Sequence, residues 1–182
     1  MLFRSHSFKE LNAHVMAVVS NHDTLRPLVE KFGLPFHSLP HGNLAPEVHE
    51  AEVLTAVLKY RPDYVVLAKY MRILSPAFVR RFPARIVNIH HSFLPAFAGA
   101  RPYHQAFDRG VKVIGATAHF VTDELDAGPI IVQQVIPVDH THTADALAQS
   151  GHDVEQMVLA RALRLVFEDR VFLCGNRTVI FD

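Results

Sequence analysis

Apolar positions come in short runs, separated by polar breaks marked with Gly and Pro. Ala13 to Ser20 (A-H-V-M-A-V-V-S) is dense enough in apolar residues to predict a buried strand. Residues 1–12 before it read as a helix or a frayed end. Asp23 or Thr24 suits the N-cap of a helix running to Lys31, and Gly33 stops it. Pro35 to Leu39 reads as a short strand and Pro40 to Ala45 as a loop. Pro46 to Tyr60 predicts a helix whose stripe is Val48, Ala51, Val53, Leu54, Val57 and Leu58. Tyr64 to Ala68 (Y-V-V-L-A) is continuously apolar, the pattern of a strand buried on both faces. Lys69 to Ser75 is its following loop, and Pro76 opens a short helix to Phe82.

The stretch from Arg85 to Arg101 is the most informative. It opens as a strand through Ile86, Val87 and Ile89, then delivers Asn88, His90, His91 and Ser92 before a turn at Leu94-Pro95. Tyr103 to Asp108 predicts a short helix closed by Gly110, and Lys112 to Val121 a long strand. Thr122 to Pro129 is a loop and Ile130 to Val138 another strand. Helices are predicted over Thr143–Ser150 and Asp153–Asp169, broken at Gly151, followed by a terminal hairpin over Val171–Phe181 turning near Gly175-Asn176. Strands alternate with helices through residue 110. The expected class is therefore α/β, a mainly parallel open sheet with flanking helices, with antiparallel members in the last third. One domain over residues 1–182 is expected. The eight glycines never fall in a G-x-G spacing. Either no phosphate cradle is needed, or a first strand ahead of Ala13 is missing.

Lys+Arg and Asp+Glu number 18 each, which argues against nucleic acid as a partner. No apolar run approaches the ~18 residues of a membrane span. The first residues are too polar for a secretory signal, so a cytoplasmic protein is expected. Thirteen His raise the question of metal, but Cys174 is the one Cys, so no thiolate cluster can form within the chain. His140-Thr-His142 has clip spacing without close partners beyond Asp139 and Asp145, and no metal is expected.

Ligands of open α/β sheets bind beyond the carboxyl ends of strands. Asn88 and His90 lie two apart, on one face of their strand. Asp126, in the Leu-Asp-Ala-Gly-Pro bend, is a candidate to orient His90 and raise its pKa. An amide, an imidazole and a carboxylate suit acyl transfer without a covalent intermediate, with His90 and Asn88 donating to an oxyanion and Asp126 moving protons. The bland alternative, a strand-end histidine beside ordinary loop polars, stays open on residue type alone. Ser92 follows His91 without a nucleophile elbow, so its hydroxyl is expected to serve loop backbone. Arg101 could meet an anionic substrate tail or pair with Asp108. Tyr70 and Met71 suit core or pocket wall equally, and Cys174 suits a buried apolar position.

N-I-H-H-S-F-L-P-A-F-x-G, together with G-A-T-A-H-F-V-T-D-E-L-D-A-G-P-I-I, resembles the folate-dependent formyltransferase family. The loop A-K-Y-M-R-I-L with Lys69, the double His90-His91, the run A-R-P-Y-H-Q-A and the ending R-V-F-L-C-G-N-R-T-V-I-F are similar to its hydrolytic, deformylase branch. The likeness runs from about Ala17 to the C-terminus and implies a formyltransferase-like variant of the Rossmann fold, with its first strand missing and no ACT-type regulatory domain. It implies Asn88, His90 and Asp126 as catalytic triad. It also implies Met71, Arg72, Ile73, Leu74, Thr122 and Asp123 around a pterin, with His119 in a secondary role. The implied reaction is hydrolysis of 10-formyltetrahydrofolate to formate and tetrahydrofolate, supplying formate for purine synthesis. The folate is substrate, no cofactor is needed, and a homo-oligomer is expected. Transfer of formyl to an amine acceptor, and an inactive folate-binding remnant, are the rival expectations. His152 departs from the family pattern of Arg or Lys.

Overall fold

The structure, a computed structural model, describes residues 11–94 and 102–181. The reading of residues 1–12 therefore falls almost wholly outside the described residues, as does Arg101. The chain divides into two compact units, Met1–Asp63 and Tyr64–Asp182.

In the first unit, β1 (Val18–Ser20) and β2 (Phe36–Ser38) form a parallel pair. The strand is shorter than the apolar run Ala13–Ser20 predicts. The run is also half-buried to exposed rather than buried, and the strand's length is set by its partner, since β2 offers three rungs. A 3-10 turn (Asp23–Leu25) leads into α1 (Arg26–Lys31). Asp23 does not cap with its side chain; its carboxylate accepts from Arg26 at 2.8 and 3.0 Å. Gly33, at φ +67°, ends the segment as expected. In α2 (Pro46–Leu58) the buried face is His49, Val53 and Ala56, while Val48 and Leu58 are exposed. The predicted stripe is turned because the His49 ring bonds the Leu39 carbonyl at 2.9 Å, holding that face inward.

The second unit carries the site. β3 (Val65–Leu67), β4 (Ile86–His90), β5 (Val113–Phe120) and β6 (Ile130–Pro137) form a sheet in that order. β3 and β4 are parallel; β4–β5 and β5–β6 are antiparallel. β3 ends this ladder and is half-buried, not buried on both faces as its apolar run predicts. Ile86 and Val87 of β4 are fully buried, each contributing about 1.5–3 kcal/mol relative to exposure. α3 is Pro76–Val79, capped by Ser75, whose hydroxyl accepts from the Phe78 N–H. α4 (Pro102–Asp108) ends before Gly110, at φ +62°.

α5 (Ala144–Phe167) lies across β5 and β6. It is one unbroken helix where the sequence predicts two. Gly151 is helical within it, and a ring occupies the place of its missing side chain: a Cβ there would lie 2.1 Å from Cζ of Tyr103. β7 (Val171–Cys174) and β8 (Arg177–Ile180) form the expected hairpin, turning at Gly175 with φ +60°. Cys174 is exposed there rather than buried. No helix among the described residues is long and apolar enough to cross a membrane.

Gly151→Ala gains helix propensity of about 1 kcal/mol but drives a methyl into a buried ring. We expect a lower urea midpoint; an unchanged or raised midpoint would contradict the close approach.

Candidate active site

The pairing of β4 with β5 assembles the centre. Register places Asn88 opposite His119 and His90 opposite Thr117. A register shift between Ala118 and His119 marks an irregularity in β5 beside this point. Thr117, fully buried, ties down the chain beyond His90. Its hydroxyl donates to the Ser92 carbonyl at 2.9 Å and accepts from the Leu94 N–H at 3.1 Å. Gln133 on β6 donates to the Leu94 carbonyl and to Thr117 Oγ1, both at 3.0 Å. Ser92 is buried in this arrangement. Thr117 and Gln133 were not candidates from sequence. For Thr117 the available signal was a hydroxyl two residues before His119 in the mostly apolar Ile114–Phe120 run.

Asp126 comes from the loop between β5 and β6. A Cβ on Gly128 would lie 1.8 Å from the Phe120 carbonyl oxygen, so only glycine lets the loop fold back onto the strand end. Asp126 itself takes φ +54°, a left-handed conformation that Asp tolerates better than most residues. Its Oδ2 lies 3.3 Å from His90 Nδ1, and its Oδ1 3.7 Å from His119 Nε2. One carboxylate therefore stands between two buried imidazoles.

The tautomers follow. His119 Nδ1 donates to the Phe120 carbonyl at 2.8 Å, so in the neutral ring Nε2 accepts, here from the Asn88 amide at 3.3 Å. Asn88 spends one of its two amide hydrogens on His119. In His90 the carboxylate beside Nδ1 favours the proton there, leaving Nε2 with its lone pair. That Nε2 is buried, and no group among the described residues bonds it. A buried polar atom without a partner is costly in a folded protein and calls for an explanation.

Charge states correct one expectation. Asp126 does raise the His90 pKa, but burial is the larger effect, and His91 and His119 add to it, so the net pKa lies below the ordinary imidazole value. Burial lowers His91 and His119 as well, against the opposing pull of Asp126 and of Glu155 on His91 or the Phe120 carbonyl on His119. The resting site holds neutral imidazoles beside a carboxylate.

The remaining candidates spread outward. Met71 and Ile73 are exposed, Arg72 is half-buried and Leu74 belongs to the core. Thr122 bonds within its own loop, to the Glu124 carbonyl at 3.3 Å. Asp123 is exposed, 3.9 Å from Arg80. Lys69 takes φ +53° and brings its Nζ to 3.5 Å from Nε2 of His152, joining two residues the sequence left apart. Among the described residues no group of three or more His, Cys, Asp or Glu is placed to hold a metal. His142 instead pairs with Asp139 at 2.9 Å. A recess of about 310 Å³ between Phe120, Pro129 and Leu173 shares Thr122 alone with the candidate set.

Residues 2–163 match the family model described as Formyl transferase. The chain belongs to the formyl transferase family. It is 60% identical over 170 residues to formyltetrahydrofolate deformylase of Escherichia coli, covering 93% of this chain and 61% of that protein. It is 49% identical over 173 residues to the Bacillus subtilis deformylase, covering 94% and 57%. The crystal structure of a Pseudomonas syringae formyltetrahydrofolate deformylase superposes with a TM-score of 0.96 at 49% identity, over all of this chain and 61% of that one. Glycinamide ribonucleotide transformylase 1 of Symbiobacterium toebii gives 0.90 at 33% identity, over 99% and 86%. The chain thus spans about three fifths of the length of these deformylases.

Two buried histidines, His90 and His119, and the half-buried His91, all with lowered pKa values, make folding pH-dependent. Below about 6.5 the unfolded chain takes up protons that the folded rings refuse, so stability falls on acidification through the folded pKa values. The urea midpoint is expected to be lower at pH 5.5 than at pH 7.5; equal midpoints would contradict the burial argument.

Proposed function

We propose that the chain hydrolyses 10-formyltetrahydrofolate to formate and tetrahydrofolate, residues 1–182 acting as one catalytic domain. The observation that carries this is the buried His90 Nε2, without a partner among the described residues and beside Asp126, in a chain 60% identical to a deformylase but 33% identical to a transformylase.

In this reading the neutral His90 is first an acceptor, not a donor. Its Nε2 takes a proton as water attacks the formyl carbon, and the imidazolium so formed is stabilised by Asp126. The second amide hydrogen of Asn88 donates to the developing oxyanion. As the bond from the formyl carbon to N10 breaks, His90 returns the proton to N10, leaving formate and tetrahydrofolate. His119 orients Asn88. Met71, Arg72, Ile73, Thr122 and Asp123 would face the pterin, with Met71 and Ile73 already exposed for it and the buried Leu74 anchoring their loop. The folate is substrate, and no metal or further cofactor enters. A cytoplasmic homo-oligomer supplying formate for purine synthesis belongs to the same reading.

Formate release from 10-formyltetrahydrofolate in the absence of any amine tests it. Release that occurs only when an amine acceptor is added would overturn it. Asp126→Asn is expected to lower kcat by about 10²–10⁴-fold with folate affinity within a few-fold. Undiminished turnover would remove Asp126 from the chemistry.

A further inference from the structure

Behind His90 lies a second cluster of polar rings that the hydrolytic scheme does not use. Tyr103 and Glu155 are both buried, and the Tyr103 hydroxyl donates to Glu155 Oε1 at 2.7 Å. A carboxylate so deep in the protein is costly unless bonded, and this bond is of the strong, charge-assisted kind. Burial and Glu155 together push the Tyr103 pKa far above its ordinary value, so the hydroxyl keeps its proton. The ring reaches this position because Gly151 has no Cβ to obstruct it. His152, the next residue on α5, meets the Tyr103 ring edge-on at 6.1 Å.

His91 lies between this cluster and the candidate centre. Its ring centroid is 6.3 Å from that of Tyr103 and 5.0 Å from that of His90, tilted 31° to the latter. The Asp126 contact at 3.3 Å touches one edge of the His90 ring and does not by itself set the ring's tilt. The face of His91 supplies the second surface.

We propose that His91, braced by the buried Tyr103–Glu155 pair, is a positioning residue that holds the His90 ring with Nε2 in its working direction and excludes water from its flank. It touches no reacting atom; it acts through His90. The role rests on the hydrolytic reading, in which His90 Nε2 moves the proton. Charged and titratable groups face the pair from every side. Asp126 comes from the loop before β6, His119 from β5, Glu155 and His152 from α5, and Lys69 from the loop after β3. Glu155 and Asp126 favour a proton on His91, while Lys69, His152 and, above all, burial oppose it.

Histidine-selective ¹⁵N NMR titration of His90 in the wild type, His91→Phe and His91→Ala tests this, alongside formate-release kinetics. Phenylalanine keeps a ring without the titration; alanine opens the flank to water. In His91→Ala the His90 pKa should rise by about half a unit or more toward the ordinary value as burial is lost. The same variant should lose about tenfold in kcat with KM within about twofold. In His91→Phe kcat should stay near wild type, and the His90 pKa should rise by less than in His91→Ala, because the ring's cover is kept and only the charge of His91 is lost. A wild-type His90 titration in His91→Ala, or equal shifts in both variants, overturns the proposal. Tyr103→Leu, which removes the brace and its hydroxyl, should move His90 in the direction of the alanine variant. A wild-type titration there overturns the bracing. A wild type that releases no formate would sink the hydrolytic reading, while the titrations still decide the role of His91.

Discussion

The antiparallel pairing of β4 with β5 is the constraint on which the site depends. It places Asn88 against His119 and stations His90 over Thr117. It also carries the chain to Phe120, where the loop bearing Asp126 turns back. Several polar groups at the centre are held by neighbours that the ladder brings close. Asn88 bonds His119, His119 bonds the Phe120 carbonyl, and Thr117 holds the loop after His90. Move the register by one residue and each of these side chains changes face.

Burial then decides the electrostatics. A carboxylate beside an imidazole favours the charged pair, and on that ground alone His90 would be a cation. The ring is instead buried among two further histidines, and desolvation outweighs attraction. The same carboxylate that fails to charge the ring still selects its tautomer, and it stands ready to stabilise a proton once one arrives. Low charge at rest, with stabilisation waiting for the charged form, is what a proton-moving group requires.

Much of the frame was legible. β4, β5, β6, the terminal hairpin and the stop at Gly110 fall where periodicity and glycine put them, because those runs are long and their turns carry strong local signals. The shortened β1, the turned stripe of α2 and the unbroken α5 were not legible. β1 is limited by a three-rung β2, the inward face of α2 includes His49 bonded to the Leu39 carbonyl, and Gly151 inside α5 lies against the Tyr103 ring, contacts that no local pattern announces.

From sequence alone came the α/β class, the choice of Asn88, His90 and Asp126, and the resemblance that a family match over residues 2–163 bears out. Strand alternation puts Asn88 and His90 on one face without any knowledge of the rest, and the family resemblance, not residue type alone, singled out the three together. Tertiary structure alone decided that Asp126 reaches His90, that the ring is neutral, and that His91 and Tyr103 stand behind it. Apart from the adjacency of His90 and His91, those are facts of distance and desolvation between segments apart in the chain, and no local pattern encodes how much water a folded neighbour removes.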